Sequence, residues 1–371
     1  MDNSLTVIFR TDASLEIGTG HVMRCLTLAS GLLKKGASVS FLCREHDGNL
    51  IDLIRSHGFA VHSLPSVSQR DYTDENQSDP SHAAWLGCNW QVDVAQCNAV
   101  LNEPVDWIII DHYALDYRWE RAMRDKCRQL MCIDDLADRR HECDVLLDQS
   151  YGRKKKDYRK LVLSQTKLLI GPQYALLRPE FLHWRASSLT RRNTPTLNHL
   201  LITMGGVDIG NMTCNILHSI EKFVWKDLEK ITVVLGPQAP WIAAVEELGA
   251  SMTVATSVLS NVKNMAELMT ASDLIIGAGG ATTWERCSLG IPSVVIPIAK
   301  NQVEMSYQLQ KHGAVQLLTP EELIAGDLEK VVNALTGEKL RGLSNVSSCL
   351  CDGLGVQSVL KCILNDQPRF L

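Results

Sequence analysis

The sequence predicts an α/β protein made of two doubly wound, Rossmann-like domains facing each other across a cleft. Three observations carry this. Apolar runs of strand length alternate with segments of helical spacing through most of the chain. Several of those runs are continuous rather than alternating, and end in polar residues, as buried parallel strands do at their carboxyl ends. The order strand, glycine turn, helix that opens the chain is repeated after residue 198. A length of 371 residues suits two domains of ordinary size.

The first run is Leu5-Thr6-Val7-Ile8-Phe9, followed by a turn holding Gly18 and Gly20 and a helical pattern from Val22 to Leu33. Val39 to Cys43 and Ala60 to Leu64 read as strands, with helical spacing over Ile51 to His57 and Gln91 to Leu101. The polar stretch from Ser66 to Ser81, with Pro80 near its end, reads as a loop. Trp107 to Ile110 is a buried strand ending in Asp111-His112-Tyr113. Leu130 to Ile133 ends in Asp134-Asp135, and Val145 to Leu147 ends in Asp148. Residues 186–198 are polar and without apolar period, which sets the domains at 1–190 and 197–371. The second half opens with His199 to Met204, Gly205-Gly206 and a helix from Met212. Strands follow at Ile231 to Leu235, Leu274 to Ile276 and Ser293 to Ile296. The tail, Val356 to Leu364, has helical spacing and could cross back to the first domain.

Composition narrows the function classes. With 45% hydrophobic and 21% charged residues the chain can bury sizeable cores. A net charge of -5 without long basic blocks argues against nucleic acid as a partner. Arg153-Lys154-Lys155-Lys156 reads as a solvated segment. The 12 cysteines are scattered with no Cys-x-x-Cys pair, so free thiols in a cytoplasmic protein and no metal ligand set are expected. No apolar run approaches the roughly 18 residues of a membrane span. No membrane partner is expected, and no apolar stripe is left over, so a monomer is expected.

Chemistry concentrates in two turns. His21 follows two glycines at a strand-to-helix edge, where a general base could stand; a helix cap is the plainer reading. Met23 and Arg24 stand where a dinucleotide fingerprint would need a third glycine, which excludes a nicotinamide site there. Gly277-Ala278-Gly279-Gly280-Ala281-Thr282-Thr283 offers backbone N–H groups and hydroxyls to a phosphate. It lacks the Gly-Lys-Ser/Thr ending of an ATPase loop, so phosphoryl transfer from ATP is not expected. Glu285, about one helical turn further on, could hold a ribose diol or simply be a favourable charge near a helix start. Gly205-Gly206 offers a second tight loop or a close helix–strand contact.

The second half resembles the donor domain of two-domain nucleotide-sugar glycosyltransferases, especially those that add N-acetylglucosamine to lipid-linked muropeptide. The glycine loop, Thr282, Thr283, Glu285 and Asn301-Gln302 occur in that family's order. The first half is narrower in its likeness. Arg10-x-Asp12, Gly18-x-Gly20-His21-x-x-Arg24, Asp111-His112-Tyr113, Asp134-Asp135 and Tyr174 to Phe181, together with Met204-Gly205-Gly206-x-Asp208, resemble the UDP-2,4-diacetamido-2,4,6-trideoxy-β-L-altropyranose hydrolases of pseudaminic acid biosynthesis.

That resemblance implies a glycosyltransferase-like enzyme with water as acceptor. It would break the bond from the anomeric carbon to UDP with inversion, without metal or cofactor. His21 matches the family's general base. Asp12, Tyr113 and Asp134 would lie on the sugar side, with Asp12 either orienting His21 or binding a hydroxyl, and Gly20 and Arg24 would also bind substrate. Helix starts at Gly205-Gly206 and Gly279-Gly280 would stabilise the leaving UDP. Uracil would lie near Val262, ribose at Glu285, and Thr282, Thr283, Asn301 and Gln302 would reach phosphates or sugar. The partner implied is a UDP-linked diacetamido-trideoxy sugar. Two rivals stay open: a transferase with a saccharide or lipid acceptor, and a nucleotide-sugar-binding protein that has no use for His21.

Overall fold

The computed structural model describes residues 4–66, 79–237 and 239–365. Most of the polar loop expected over 66–81 lies outside the described residues. The chain divides into two compact units, Met1–Leu176 with Gly355–Leu371, and Leu177–Leu354.

The first unit runs β1 (Thr6–Thr11), α1 (Gly20–Leu33), β2 (Ser38–Arg44), α2 (Ile51–Ser56), β3 (Ala60–Leu64), α3 (Trp90–Val100), β4 (Val105–Asp111), α4 (Tyr117–Ala122), β5 (Cys127–Ile133), β6 (Val145–Asp148) and β7 (Lys167–Ile170). Its seven-stranded sheet has the order β3-β2-β1-β4-β5-β6-β7, and every pairing is parallel. Alternate residues of each strand enter different cores. Val7 and Phe9 join Phe41, Ile109 and Met131 on one face; Ile8 joins Leu42, Ile108 and Leu130 on the other. Both faces are covered, which is why the strands read as unbroken apolar runs.

The second unit runs α5 (Pro179–Arg191), β8 (His199–Thr203), α6 (Met212–Ile220), β9 (Lys230–Leu235), α7 (Ile242–Ser251), β10 (Ala255–Ser260), α8 (Met265–Ala271), β11 (Leu274–Ala278), α9 (Thr282–Ser288), β12 (Ser293–Ile296), α10 (Lys300–His312), β13 (Gln316–Leu317), α11 (Pro320–Ala325), α12 (Leu328–Asn333) and α13 (Gly337–Leu350). Its sheet order is β10-β9-β8-β11-β12-β13, again parallel throughout. The last helix, α14 (Gly355–Asn365), returns to the first unit, where Val359, Leu360 and Ile363 join the core that holds Leu28 and Leu32 of α1.

Two features differ from the sequence reading. The units part at Leu176 rather than near residue 190, so α5 belongs to the second. Its polar side chains are bonded there. Ser188 Oγ donates to the Leu289 carbonyl at 2.7 Å, Arg185 Nη2 to Ser348 at 2.8 Å and Arg192 Nη2 to Thr270 at 3.0 Å. A segment rich in Ser and Arg resembles a linker in sequence, yet here it is a docked helix. Second, Gly337–Asn365 is long and apolar enough by composition to cross a membrane. It is two helices, α13 and α14, with non-helical residues between them, and each buries its apolar side in a different unit.

Candidate active site

In each sheet the strand order reverses between the first strand and its neighbour, β1/β4 in one unit and β8/β11 in the other. Ligands bind beyond the carboxyl ends of strands at such a switch point. In the first unit the register sets Thr11 beside Asp111, so the turn leaving β1 and the end of β4 share one edge. His21 is the second residue of α1 and is buried. Its Nδ1 lies 2.5 Å from Asp111 Oδ1. Arg24, one turn along α1, forks onto the same carboxylate, Nε to Oδ2 and Nη2 to Oδ1, both at 2.6 Å. Burial alone would raise the Asp111 pKa; Arg24 and His21 outweigh it and hold the carboxyl well below the usual range. An ionised carboxylate only accepts hydrogen bonds and a guanidinium only donates them. The proton between His21 and Asp111 is therefore on Nδ1, although Arg24 Nη2 also lies 3.3 Å from that nitrogen, and in the neutral ring Nε2 then keeps its lone pair.

Tyr113 packs edge-on against His21, ring centroids 4.5 Å apart, and its hydroxyl donates to Asp135. Burial, with Asp135 beside it, raises the Tyr113 pKa well above the ordinary phenol. Arg24 Nη1 reaches the other Asp135 oxygen at 3.0 Å. Two residues beyond the sequence reading complete this wall. Trp85 stacks on Tyr113 at 5.7 Å, His82 lies 5.4 Å from Tyr113, and Trp85 Nε1 donates to Glu16 at 3.0 Å.

The geometry corrects three expectations in this unit. Asp12 does not orient His21; Asp111 does. Asp12 Oδ1 accepts from the Arg44 N–H at 2.6 Å and Arg10 Nη1 at 2.7 Å, and Oδ2 lies 3.2 Å from His112 Nε2. Arg10 and Arg44 also share Asp93, each at 2.6 Å. Asp12 is thus enclosed in a buried ion network. Asp134 is likewise fully buried, pairing with Arg139 at 2.8 Å and accepting from Tyr158 at 2.9 Å. Its neighbour Asp135, 21% exposed at the side chain, is the carboxylate that meets Arg24 and Tyr113 beside His21. Arg24 is committed to Asp111 and Asp135 rather than left free for a substrate. Gly20 opens α1 just before His21.

In the second unit the loop after β8 holds Gly205, whose φ of +97° favours glycine, and Gly206. The helix behind it is capped: Asp208 accepts from the N–H groups of Met212 and Thr213, each at 2.9 Å. The expected phosphate donation by the start of α6 is therefore occupied by the protein's own carboxylate. The loop after β11 holds Gly279 and Gly280. Gln302 fastens it to the next loop, its Oε1 accepting from Gly279 N at 3.2 Å and Ile298 N at 3.0 Å. Thr282 is half-buried. Thr283 is fully buried and its hydroxyl accepts from Arg286, so it points inward rather than to a ligand. Glu285 is half-buried beside Arg178 Nη2 at 3.4 Å, a partner the sequence reading did not assign. Burial raises the Glu285 pKa despite Arg178. Asn301 is exposed on α10, and Val262 is half-buried in the loop after β10.

Comparison with known proteins agrees with this architecture. Residues 216–354 match the glycosyltransferase family 28 C-terminal domain. Over 97% of this chain and 99% of the other, the structure superposes on Acinetobacter baumannii MurG with a TM-score of 0.66 at 16% identity. The fold is GT-B-like. Two relatives share the sequence over most of this chain. One is an uncharacterized protein of Methanocaldococcus jannaschii, 30% identical across 77% of this chain and 54% of that protein, so the chain spans about half its length. The other is the UDP-2,4-diacetamido-2,4,6-trideoxy-β-L-altropyranose hydrolase of Campylobacter jejuni, 26% identical across 83% of this chain and 97% of that enzyme.

The fold of this GT-B-like chain also assembles a metal-type ligand group, which its sequence spacing does not reveal, with Cys132 paired to Ile110 of β4. Ligand atoms of Glu120, Cys132 and His141 lie within 4.8 Å of one another, all buried. They already bond to each other: His141 Nδ1 to Glu120 Oε1 at 2.6 Å and Cys132 Sγ to the same oxygen at 3.1 Å. Burial would lower the His141 pKa, but Glu120 and Asp134 push it up to about 10. The imidazolium supplies the positive charge that a cation would bring. Among the described residues the cysteines other than Cys362 are free thiols, and Cys349 is the exposed one.

Proposed function

We propose that the chain hydrolyses a UDP-linked diacetamido-trideoxy sugar, releasing UDP and the free sugar with inversion at the anomeric carbon. The observation that carries this is the His21–Asp111 pair. Nε2 of His21 is available to take a proton from water, while Asp111, itself fixed by Arg24, holds the ring and stabilises the imidazolium that forms. As the water oxygen bonds to the anomeric carbon, the carbon–oxygen bond to UDP breaks and its electron pair leaves with the diphosphate. The proton lost by water goes to Nε2. The second unit holds UDP, with Glu285 on the ribose diol and the glycine loops near the diphosphate. The likeness to the Campylobacter jejuni hydrolase over nearly its whole length supports water as the acceptor. Tyr113, Trp85 and His82 form an aromatic wall beside the base that suits a sugar bearing methyl and acetamido groups.

The family 28 domain match favours a second reading, in which His21 deprotonates an acceptor hydroxyl. The purified protein incubated with the UDP-linked sugar and no acceptor separates the two. Stoichiometric UDP and free sugar support hydrolysis. UDP release only when a saccharide or lipid acceptor is added supports transfer.

A further inference from the structure

Among the described residues Arg286 is a buried cation with no ion pair, though the nearby Glu285 charge acts on it. It lies on α9, is 1% exposed, and belongs to the same unit as the glycine loop. Nη2 donates to the Ala278 carbonyl at 2.8 Å and to Thr283 Oγ1 at 3.0 Å, which ties the guanidinium to both ends of the loop. Nε and Nη1 have no hydrogen-bond partner among the described residues. The adjacent carboxylate, Glu285, turns to Arg178 instead. Three other buried arginines contrast with this: Arg10 and Arg44 face Asp93, and Arg24 faces Asp111. Arg192, whose Nη2 donates to the Thr270 carbonyl, shares the absence of an ion pair among the described residues but lies on no glycine loop. The backbone makes room for the charge. A Cβ on Gly277 would stand 2.3 Å from Arg286 Nη1 and 2.8 Å from the Thr203 carbonyl. Glycine at the end of β11 therefore admits the guanidinium beneath the loop. Burial pushes the Arg286 pKa down to about 10, which still leaves it charged at neutral pH.

A buried, unneutralised charge costs the unliganded fold free energy. Its retention makes sense where an anion comes and goes. We infer that Arg286 is a positioning residue whose standing charge, together with its hold on the 277–283 loop, draws the diphosphate of UDP to that loop and stabilises the charge the leaving group gains. This rests on the nucleotide-sugar reading above. Arg286 acts from beneath the loop, so the effect should follow ligand charge rather than ligand shape.

The test uses the whole protein and measures the affinity of UDP and of uncharged uridine by calorimetry, with the melting temperature of the unliganded protein. Arg286→Met and Arg286→Gln should bind UDP about tenfold or more weakly, bind uridine as the wild type does, and melt at the same temperature or higher. Arg286→Lys should keep UDP affinity within about threefold, because it keeps the charge. Undiminished UDP affinity in the Met and Gln variants overturns the inference. So does an equal loss for UDP and uridine with a lower melting temperature, which marks a purely structural role. Wild-type protein that binds neither ligand overturns the nucleotide reading and this inference with it.

Discussion

His21 and Asp111 stand 90 residues apart in sequence and 2.5 Å apart in space, Nδ1 to Oδ1, at the edge where β1 and β4 run side by side. The carboxylate also receives both prongs of Arg24. It fixes the tautomer of His21 and is itself held ionised by its neighbours. A base built this way depends on a residue that never meets the substrate.

Replacing Asp111 with Asn should lower kcat by about 10²–10⁴-fold, because the amide can present an N–H to Nδ1 and reverse the tautomer. KM should change little. Arg24 then keeps only Asp135, so the variant should also lose about 3–5 kcal/mol of stability. Steady-state kinetics and a urea melt check the two parts separately.

His21→Asn should abolish measurable turnover, a loss of at least about 10²–10⁴-fold. Affinity for UDP, which the proposed function assigns to the second unit, should stay within about twofold of wild type. Full turnover in this variant would remove His21 from the chemistry, whereas a wild type that binds UDP without turning over the sugar would favour the nucleotide-sugar-binding protein over either enzyme.

Glu285 is expected to read the ribose. Wild type should prefer UDP to 2′-deoxy-UDP by about tenfold or more, as a hydrogen bond to a charged group implies. Glu285→Gln should erase most of that preference by weakening UDP rather than tightening the deoxy ligand. Competition binding with the two nucleotides decides it.

Stability should fall on the alkaline side. The folded His141 pKa, pushed up to about 10 from an ordinary 6.5, means that the folded state binds the proton more tightly than the unfolded chain does. That stability is complete below pH 6.5 and drains as the pH rises through about 10, at up to roughly 1.4 kcal/mol per pH unit. Glu120→Gln removes the neighbouring charge, so its stability should be lower at pH 7 and depend less on pH between 7 and 10. Chemical denaturation across that range measures both slopes.

The sheets were legible in sequence because their strands are buried on both faces, which leaves unbroken apolar runs such as Trp107 to Ile110 ending in Asp111. The glycine turns and His21 were legible for the same reason: they follow strand ends. Which carboxylate serves His21 was not. Asp12 lies nearer in the chain, but the pairing of β1 with β4 brings Asp111 to the ring, while Arg10 and Arg44 enclose Asp12. Asp134 and Asp135 are adjacent and identical in type. The end of β5 sends one inward to Arg139 and the other toward Tyr113. The place of α5 was hidden because its serine and arginine side chains bond backbone carbonyls, a use of polar residues that has no periodic signature. Arg286 carried no signal either, since an arginine in the first turns of a short helix is ordinary until its burial is known.

The role proposed for His21 is to direct water to the anomeric carbon. The most direct measurement is turnover of the UDP-linked diacetamido-trideoxy sugar in oxygen-18 water, without acceptor, with mass spectrometry of both products from the first turnovers. One heavy oxygen on the released sugar, none on UDP, and no release by His21→Asn are expected. Heavy oxygen on UDP, or unaltered release by the variant, would contradict that role.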